Sequence, residues 1–144
     1  MPNNKRRVFP REAFLSHADA DRAFVRRLAK AMRKHRMGAW FSKAHILSGE
    51  QWHDKIGDAL DRCDWFLLVL SPNAVKSKWV KHELLYALRE DRYNERIVPI
   101  VRRKCKYRQL SWTLQGFQFV DFTHGFASGC RDLFRRWGIE FRGS

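Results

Sequence analysis

Cysteine is scarce in this chain of 144 residues: Cys63, Cys105 and Cys130 are odd in number, far apart and in no CxxC pattern. Neither a disulfide framework nor zinc-ligand spacing is present, so idle or buried thiols in a reducing compartment are expected, and no metal site. Long hydrophobic runs are also missing. The longest, Trp65-Phe66-Leu67-Leu68-Val69-Leu70, falls far short of the roughly 20 apolar residues that cross a bilayer. No apolar signal segment follows Lys5-Arg6-Arg7, and a soluble, cytoplasmic protein without a membrane partner is expected. Acidic residues are the third scarcity: 15 Asp and Glu face 29 Lys and Arg, a formal charge of +14. Charge of this sign attracts nucleic acid, anionic membrane or acidic protein without saying which. The cations gather in the N-terminal tail, from Arg22 to Arg36, in Arg102-Arg103-Lys104 with Lys106 and Arg108, and in Arg131, Arg135, Arg136 and Arg142. Spread over four places, they read as solvated faces rather than one groove, which ranks nucleic acid low among the expected partners.

Nucleotide motifs are lacking as well. Neither GxGxxG after a strand nor GxxxxGK followed by Ser or Thr occurs, which sets aside a Rossmann dinucleotide site and a P-loop. The first strand ends in Ser16-His17 rather than in paired acids, so a phosphorylated receiver domain is not indicated either.

What the chain does contain is a 44% hydrophobic fraction with six Trp and eleven Phe, enough for one packed core. One domain over 11–141 is expected, between a basic tail at 1–10 and a short tail at 142–144. Short apolar runs alternate with helix-period stretches, the signature of βαβ units around a parallel sheet. Ala13 to Ser16 reads as the first strand, with Asp19 as N-cap of a helix carrying Phe24, Leu28, Ala31, Met32 and His35; Gly38 ends the turn. Ala39 to Phe41 reads as the second strand, followed by an irregular loop from Ser42 to Gly49. A helix then buries Trp52, Ile56, Ala59, Leu60 and Cys63. Its other face carries Glu50, Asp54, Asp58 and Asp61, a negative stripe that is either solvated or a dock for a basic surface of another copy.

The unbroken run Trp65 to Leu70 suits a strand covered on both faces. Ser71-Pro72-Asn73 breaks it, a helix follows from about Ser77 to Arg89, and Ile97 to Val101 and Phe117 to Asp121 read as strands four and five. A closing helix carries Cys130, Leu133, Phe134 and Trp137. The expected fold is therefore a flavodoxin-like three-layer α/β sandwich. Its five-stranded parallel sheet has order 2-1-3-4-5, helices on both faces, and ligands at the carboxyl ends of the strands.

One residue is out of place in this pattern. Positions 79, 80, 83, 84, 87 and 88 share a helix face and are Trp, Val, Glu, Leu, Ala and Leu. Burying the Glu83 carboxylate is costly unless it is paired, and an aromatic neighbour such as Trp79 perturbs its proton affinity. A salt bridge with one of the many cations is one reading; a functional site is the other.

Phe14-Leu15-Ser16-His17, Trp40-Phe41, Val69-Leu70-Ser71-Pro72-Asn73, Ser77-Lys78-Trp79-Val80-Lys81-His82-Glu83-Leu84 and Ile97-Val98-Pro99-Ile100 resemble, in order and spacing, the successive boxes of Toll/interleukin-1 receptor (TIR) domains. The resemblance covers about Glu12 to Phe122, and its Trp79 to Glu83 spacing is similar to that of bacterial members. It implies a TIR-domain NAD⁺ glycohydrolase or cyclase, a hydrolase that breaks the nicotinamide–ribose bond and releases nicotinamide with ADP-ribose or a cyclic ADP-ribosyl signal. The catalytic role falls on Glu83. Ser16 and His17 fall on the substrate side, although a strand-end His also reads as a polar cap. Gly49 and Ser77 are further substrate-side candidates, and Trp52 and Trp79 read equally as aromatic walls for the substrate or as core. NAD⁺ is substrate, and no cofactor is called for.

One carboxylate suits this reaction, because nicotinamide is cationic while attached and departs neutral, whereas ordinary sugar hydrolysis protonates its leaving group with a second carboxyl. The resemblance further implies a homo-oligomer through TIR–TIR contacts, a partner effector or sensor protein, and a role in bacterial anti-phage immunity. A non-catalytic TIR adaptor, binding through the loop around Ile46 and the acidic helix, is the alternative. Ser42, standing where many active members carry an acid after the Trp-Phe pair, favours that alternative; Glu83 with Trp79 favours the enzyme.

Overall fold

The central strand dictates the arrangement. Trp65–Leu70 (β3) is buried throughout, and in the computed structural model it lies between Glu12–Ser16 (β1) and Ile97–Val101 (β4), parallel to both. Gly38–Trp40 (β2) and Val120–Asp121 (β5) complete a sheet of order β2-β1-β3-β4-β5, the expected topology. The helices are Arg22–Lys34 (α1), Gly49–Arg62 (α2), the single turn Pro72–Val75 (α3), Lys78–Arg89 (α4) and Phe126–Arg136 (α5). The structure describes residues 9–42 and 49–143, with side chains over 49–52 left out. The tail 1–8, the loop 43–48 with Ile46, the side chains of Glu50 and Trp52, and Ser144 therefore lie outside the described residues.

Alternation along each strand divides the core in two. Ala13 and Leu15, Leu67 and Val69, and Val98 and Ile100 point to a layer closed by Val25, Leu28 and Met32 of α1 and Leu133 and Phe134 of α5. Phe14, Phe66, Leu68 and Leu70 point to the other layer, closed by Ile56, Ala59 and Leu60 of α2 and Val80, Leu84 and Ala87 of α4. By the same parity Ser16, last in β1, faces α2 and α4. Cys63 and Cys130 are buried free thiols, one in each layer, and burial pushes both up to about 12.

Two local expectations are corrected. Asp19 does not cap α1: Asp19–Asp21 is a 3-10 turn, Asp21 holds the N-cap position without a side-chain cap bond, and Asp19 pairs with Arg22 at 2.7 Å. Asp21 is instead turned inward, accepting Ser71 Oγ and Arg102 Nη1 at 2.5 Å each. Satisfying a buried carboxylate outweighs a helix cap worth about 1 kcal/mol. The fifth strand is also shorter than Phe117 to Asp121. Phe117 and Phe119 pack against the α2/α4 core layer, with Phe119 against Tyr107 at 4.8 Å. Pairing with β4 begins only at Ile100, just past Pro99, which has no N–H to donate.

Gly38 does more than end a turn. A Cβ at this position would stand 2.6 Å from the backbone oxygen of Arg11, where β2 joins β1. Gly38→Ala should lower stability by about 1–3 kcal/mol through overpacking. Gly57→Ala, in mid-α2 with nothing within 4 Å of its would-be Cβ, should raise it by about 0.5–1 kcal/mol. Denaturant midpoints of the two variants check both signs.

Candidate active site

Three elements deliver the site. β3 ends at Leu70, and Ser71, whose Oγ accepts the Ala74 N–H at 3.1 Å, turns the chain into α3. Ser77 then caps α4, its Oγ accepting the Val80 N–H at 3.2 Å, and that cap fixes where the helix starts and which residues face the sheet. On α4, Trp79, His82, Glu83 and Tyr86 follow at spacings of three, one and three, and so share a stripe looking across at α2. His53, Ile56, Gly57, Leu60 and Asp61 of α2 look back. Between them lies a cavity of about 300 Å³, at the lower end of small-molecule sites.

Glu83 belongs to both the core stripe and this second stripe, which puts its carboxyl at the base of the cavity. It is 6% exposed, and Ser16 Oγ donates to its Oε1 at 2.7 Å. No arginine or lysine pairs with it among the described residues. Burial is the dominant influence and pushes its pKa up to about 8; the Ser16 hydrogen bond pulls in the opposite direction without overcoming it. Free of ligand, the carboxyl is therefore mostly protonated at neutral pH.

The two ends of the cavity are differently built. At one, the Trp79 ring stands edge-on to His53 at 4.7 Å and to His82 at 6.0 Å. At the other, Tyr86 Oη donates to Asp61 Oδ1 at 2.6 Å, bridging α4 to α2, and Arg92 bonds the Asp61 backbone oxygen. A planar aromatic ligand finds ring walls at the first end and hydrogen-bonding groups at the second.

Of the residues singled out from the sequence, Ser16, Trp79 and Glu83 come together here. His17 does not join them. Its Nδ1 meets the Leu15 backbone oxygen at 3.2 Å and its ring lies edge-on to Phe41, which packs in the α1/α5 layer. Burial lowers its pKa. Ser77 does not line the cavity and acts as the cap of α4, while Gly49 opens α2 and the Trp52 side chain lies outside the described residues. His53, Asp61, His82 and Tyr86 were missed. Their i, i+3 and i, i+4 spacing to Trp79, Glu83 and each other was visible, but which two helices face each other was not. No group of His, Cys, Asp and Glu suited to a metal ion occurs among the described residues.

The raised carboxyl makes stability depend on pH. The fold favours the neutral form, so stability is greatest below about 4.5 and falls as pH rises toward about 8. Each tenfold change in proton affinity is worth about 1.4 kcal/mol. Urea unfolding should show the wild type losing on the order of a few kcal/mol relative to Glu83→Gln between pH 5 and pH 8. Parallel curves for the two proteins would contradict this environment for Glu83.

A model of the TIR domain matches residues 13–134. The chain is similar to the 2′ cyclic ADP-D-ribose synthase BtTIR of Bacteroides thetaiotaomicron, 32% identical over 95 residues covering 65% of this chain and 33% of that protein. It is also similar to the 2′ cyclic ADP-D-ribose synthase AbTIR of Acinetobacter baumannii, 30% identical over 105 residues covering 71% and 39%. The chain thus spans about a third of the length of the curated relatives it matches. Among solved structures, the TIR domain of the Toll-related receptor TRR-2 from Hydra magnipapillata superposes with a TM-score of 0.68 over 88% of this chain and 98% of that one. At 19% identity it speaks for the fold alone. No helix among the described residues is long and apolar enough to cross a membrane. With the family model spanning the sheet and all but the end of α5, this chain belongs to the TIR domain family.

Proposed function

We propose that this TIR domain cleaves the nicotinamide–ribose bond of NAD⁺, with Glu83 as the catalytic residue. The observation that carries the reading is a buried carboxyl with no cation paired to it among the described residues, at the base of a cavity walled by aromatic rings. A structural carboxylate in so cationic a chain would be paired with one of its many arginines; Asp21 is, through Arg102. Two relatives whose names state 2′ cyclic ADP-D-ribose synthesis, each about 30% identical, support the same reading.

In this scheme the ribose lies against Glu83 and the pyridinium ring lies beside Trp79. The incoming positive charge favours the ionised carboxylate, so ligand binding displaces the Glu83 proton. As the bond between ribose C1′ and nicotinamide nitrogen breaks, its electron pair leaves with nicotinamide, which becomes neutral. The carboxylate stabilises the cation left on the ribose. Attack by water at C1′ releases one proton and gives ADP-ribose, while attack by a hydroxyl of the same molecule gives a cyclic product with the same loss of a proton. A cavity of about 300 Å³ takes the nicotinamide end of the dinucleotide and leaves the adenosine end outside it.

Purified protein incubated with NAD⁺ should release nicotinamide, with the second product resolved by mass. Glu83→Gln should lose at least about 10²-fold in rate, the usual scale for deleting one group that stabilises developing charge. Trp79→Ala should act mainly through KM. Undiminished turnover by Glu83→Gln would reject the assignment.

Self-association goes with this reading. Asp54 and Asp58 are exposed on α2, and a basic surface of a second copy is the partner they suit. Asp54→Lys with Asp58→Lys should lower the mean mass seen by light scattering and lower turnover per molecule at high protein concentration. An unchanged mass would remove α2 from the contact.

A further inference from the structure

The candidate site leaves the cationic excess unused, since no lysine or arginine lines its cavity among the described residues. Many of the acids are occupied within the fold. Glu12 holds Arg62, Asp21 holds Arg102, Asp61 holds Tyr86, Asp132 holds Arg135, and Asp64 accepts backbone N–H groups of Arg11 and Glu12. The surplus positive charge is therefore directed outward, and one place combines it with a second feature.

Beyond β4 the chain runs through two short 3-10 turns, Tyr107–Gln109 and Trp112–Gly116, which pack on each other. Arg103, Lys104, Lys106 and Arg108 are exposed and form no ion pair among the described residues. Trp112, four residues beyond Arg108, is 69% exposed, whereas Trp40, Trp65, Trp79 and Trp137 are buried or half-buried. The turn that displays it is firmly built. Leu110 and Leu114 anchor it on either side in the core, and Ser111 Oγ accepts the Thr113 N–H at 3.3 Å. Tyr107 packs on Phe119, and Arg102 at the root is held by Asp21 at 2.5 Å. The indole is thus projected from an anchored turn.

We propose that the segment from Arg103 to Trp112 is a binding face for single-stranded nucleic acid, with phosphates against the four cations and a base stacked on Trp112. The chemistry selects this partner over the other anions. Indoles also anchor protein interfaces, but an acidic protein or a polysaccharide does not repeat flat π surfaces along its charges, and a duplex keeps its base faces stacked inside. An exposed single strand offers both a charged backbone and flat π surfaces. The face is separate from Glu83 and does not depend on the proposed reaction. It also gives self-repelling copies, each with a formal charge of +14, a way to gather on one polyanion.

The test is fluorescence anisotropy of labelled oligo(dT) and oligo(U) titrated with the full chain at about 150 mM salt. Heparin, which has charge but no bases, is titrated in parallel, as are phosphatidylserine vesicles. Trp112→Ala should weaken oligonucleotide binding by about 5–150-fold, the range for losing one base stack, and leave heparin binding unchanged. Arg103→Glu with Lys104→Glu should weaken both and flatten the salt dependence by about 0.7 in log–log slope per lost phosphate contact. Glu83→Gln should bind like the wild type. Oligonucleotide affinity unmoved by Trp112→Ala overturns the proposal, as does affinity unmoved by the charge reversals. Binding to the vesicles with none to either oligonucleotide overturns it as well.

Discussion

The hydrogen bond between Ser16 and Glu83 joins the end of a central strand to the middle of α4 and sets the character of everything around it. A carboxyl 6% exposed, with the Ser16 hydroxyl as its partner among the described residues, leaves the cavity between α2 and α4 without fixed charge at its base. A paired carboxylate would be spent; an unpaired one retains the capacity to respond to whatever cation enters. The cost of burying it is met by the packing of the whole α2/α4 layer, from Phe14 and Phe66 to Val80 and Leu84.

The same layer gives the site its shape. Ser77 as N-cap fixes the phase of α4, and that phase decides whether position 83 looks at β1 or at solvent. The bridge from Tyr86 to Asp61 holds α4 to α2 at the far end, and the contact of Trp79 with His53 holds them at the near end. Opposite, the network of Asp21, Ser71 and Arg102 fastens the loop after β1 to the ends of β3 and β4. Of the two carboxylates buried at this edge among the described residues, Asp21 is paired with Arg102, and Glu83, with no cation, lies against the cavity between α2 and α4.

Much of this was legible in the sequence wherever a period speaks directly. The uniform run of β3 announced a strand covered on both faces, and one acid in an otherwise apolar helix stripe announced Glu83. Its partner was harder to see, because Ser16 faces α4 only through the parity of β1, and parity has no meaning until the layers are known. The far wall of the cavity was not legible at all. Asp61 read as one of four acids in a stripe either solvated or docking another copy, and nothing in its spacing says that Tyr86 waits across the gap. Where tertiary bonds overrode local rules, the reading failed: Asp19, expected to cap α1, falls in a 3-10 turn ahead of it, Asp21 at the cap position turns into a buried network, and Phe117 and Phe119 leave the strand for the core.

The central claim is that Glu83 is neutral in the free protein and ionises when a pyridinium cation arrives. Calorimetry of a non-cleavable NAD⁺ analogue that keeps the charged ring measures this directly, in buffers of different ionisation enthalpy near pH 7. The account predicts release of most of a proton per molecule bound by the wild type and none by Glu83→Gln. Binding of that analogue to the wild type with no proton released would contradict it.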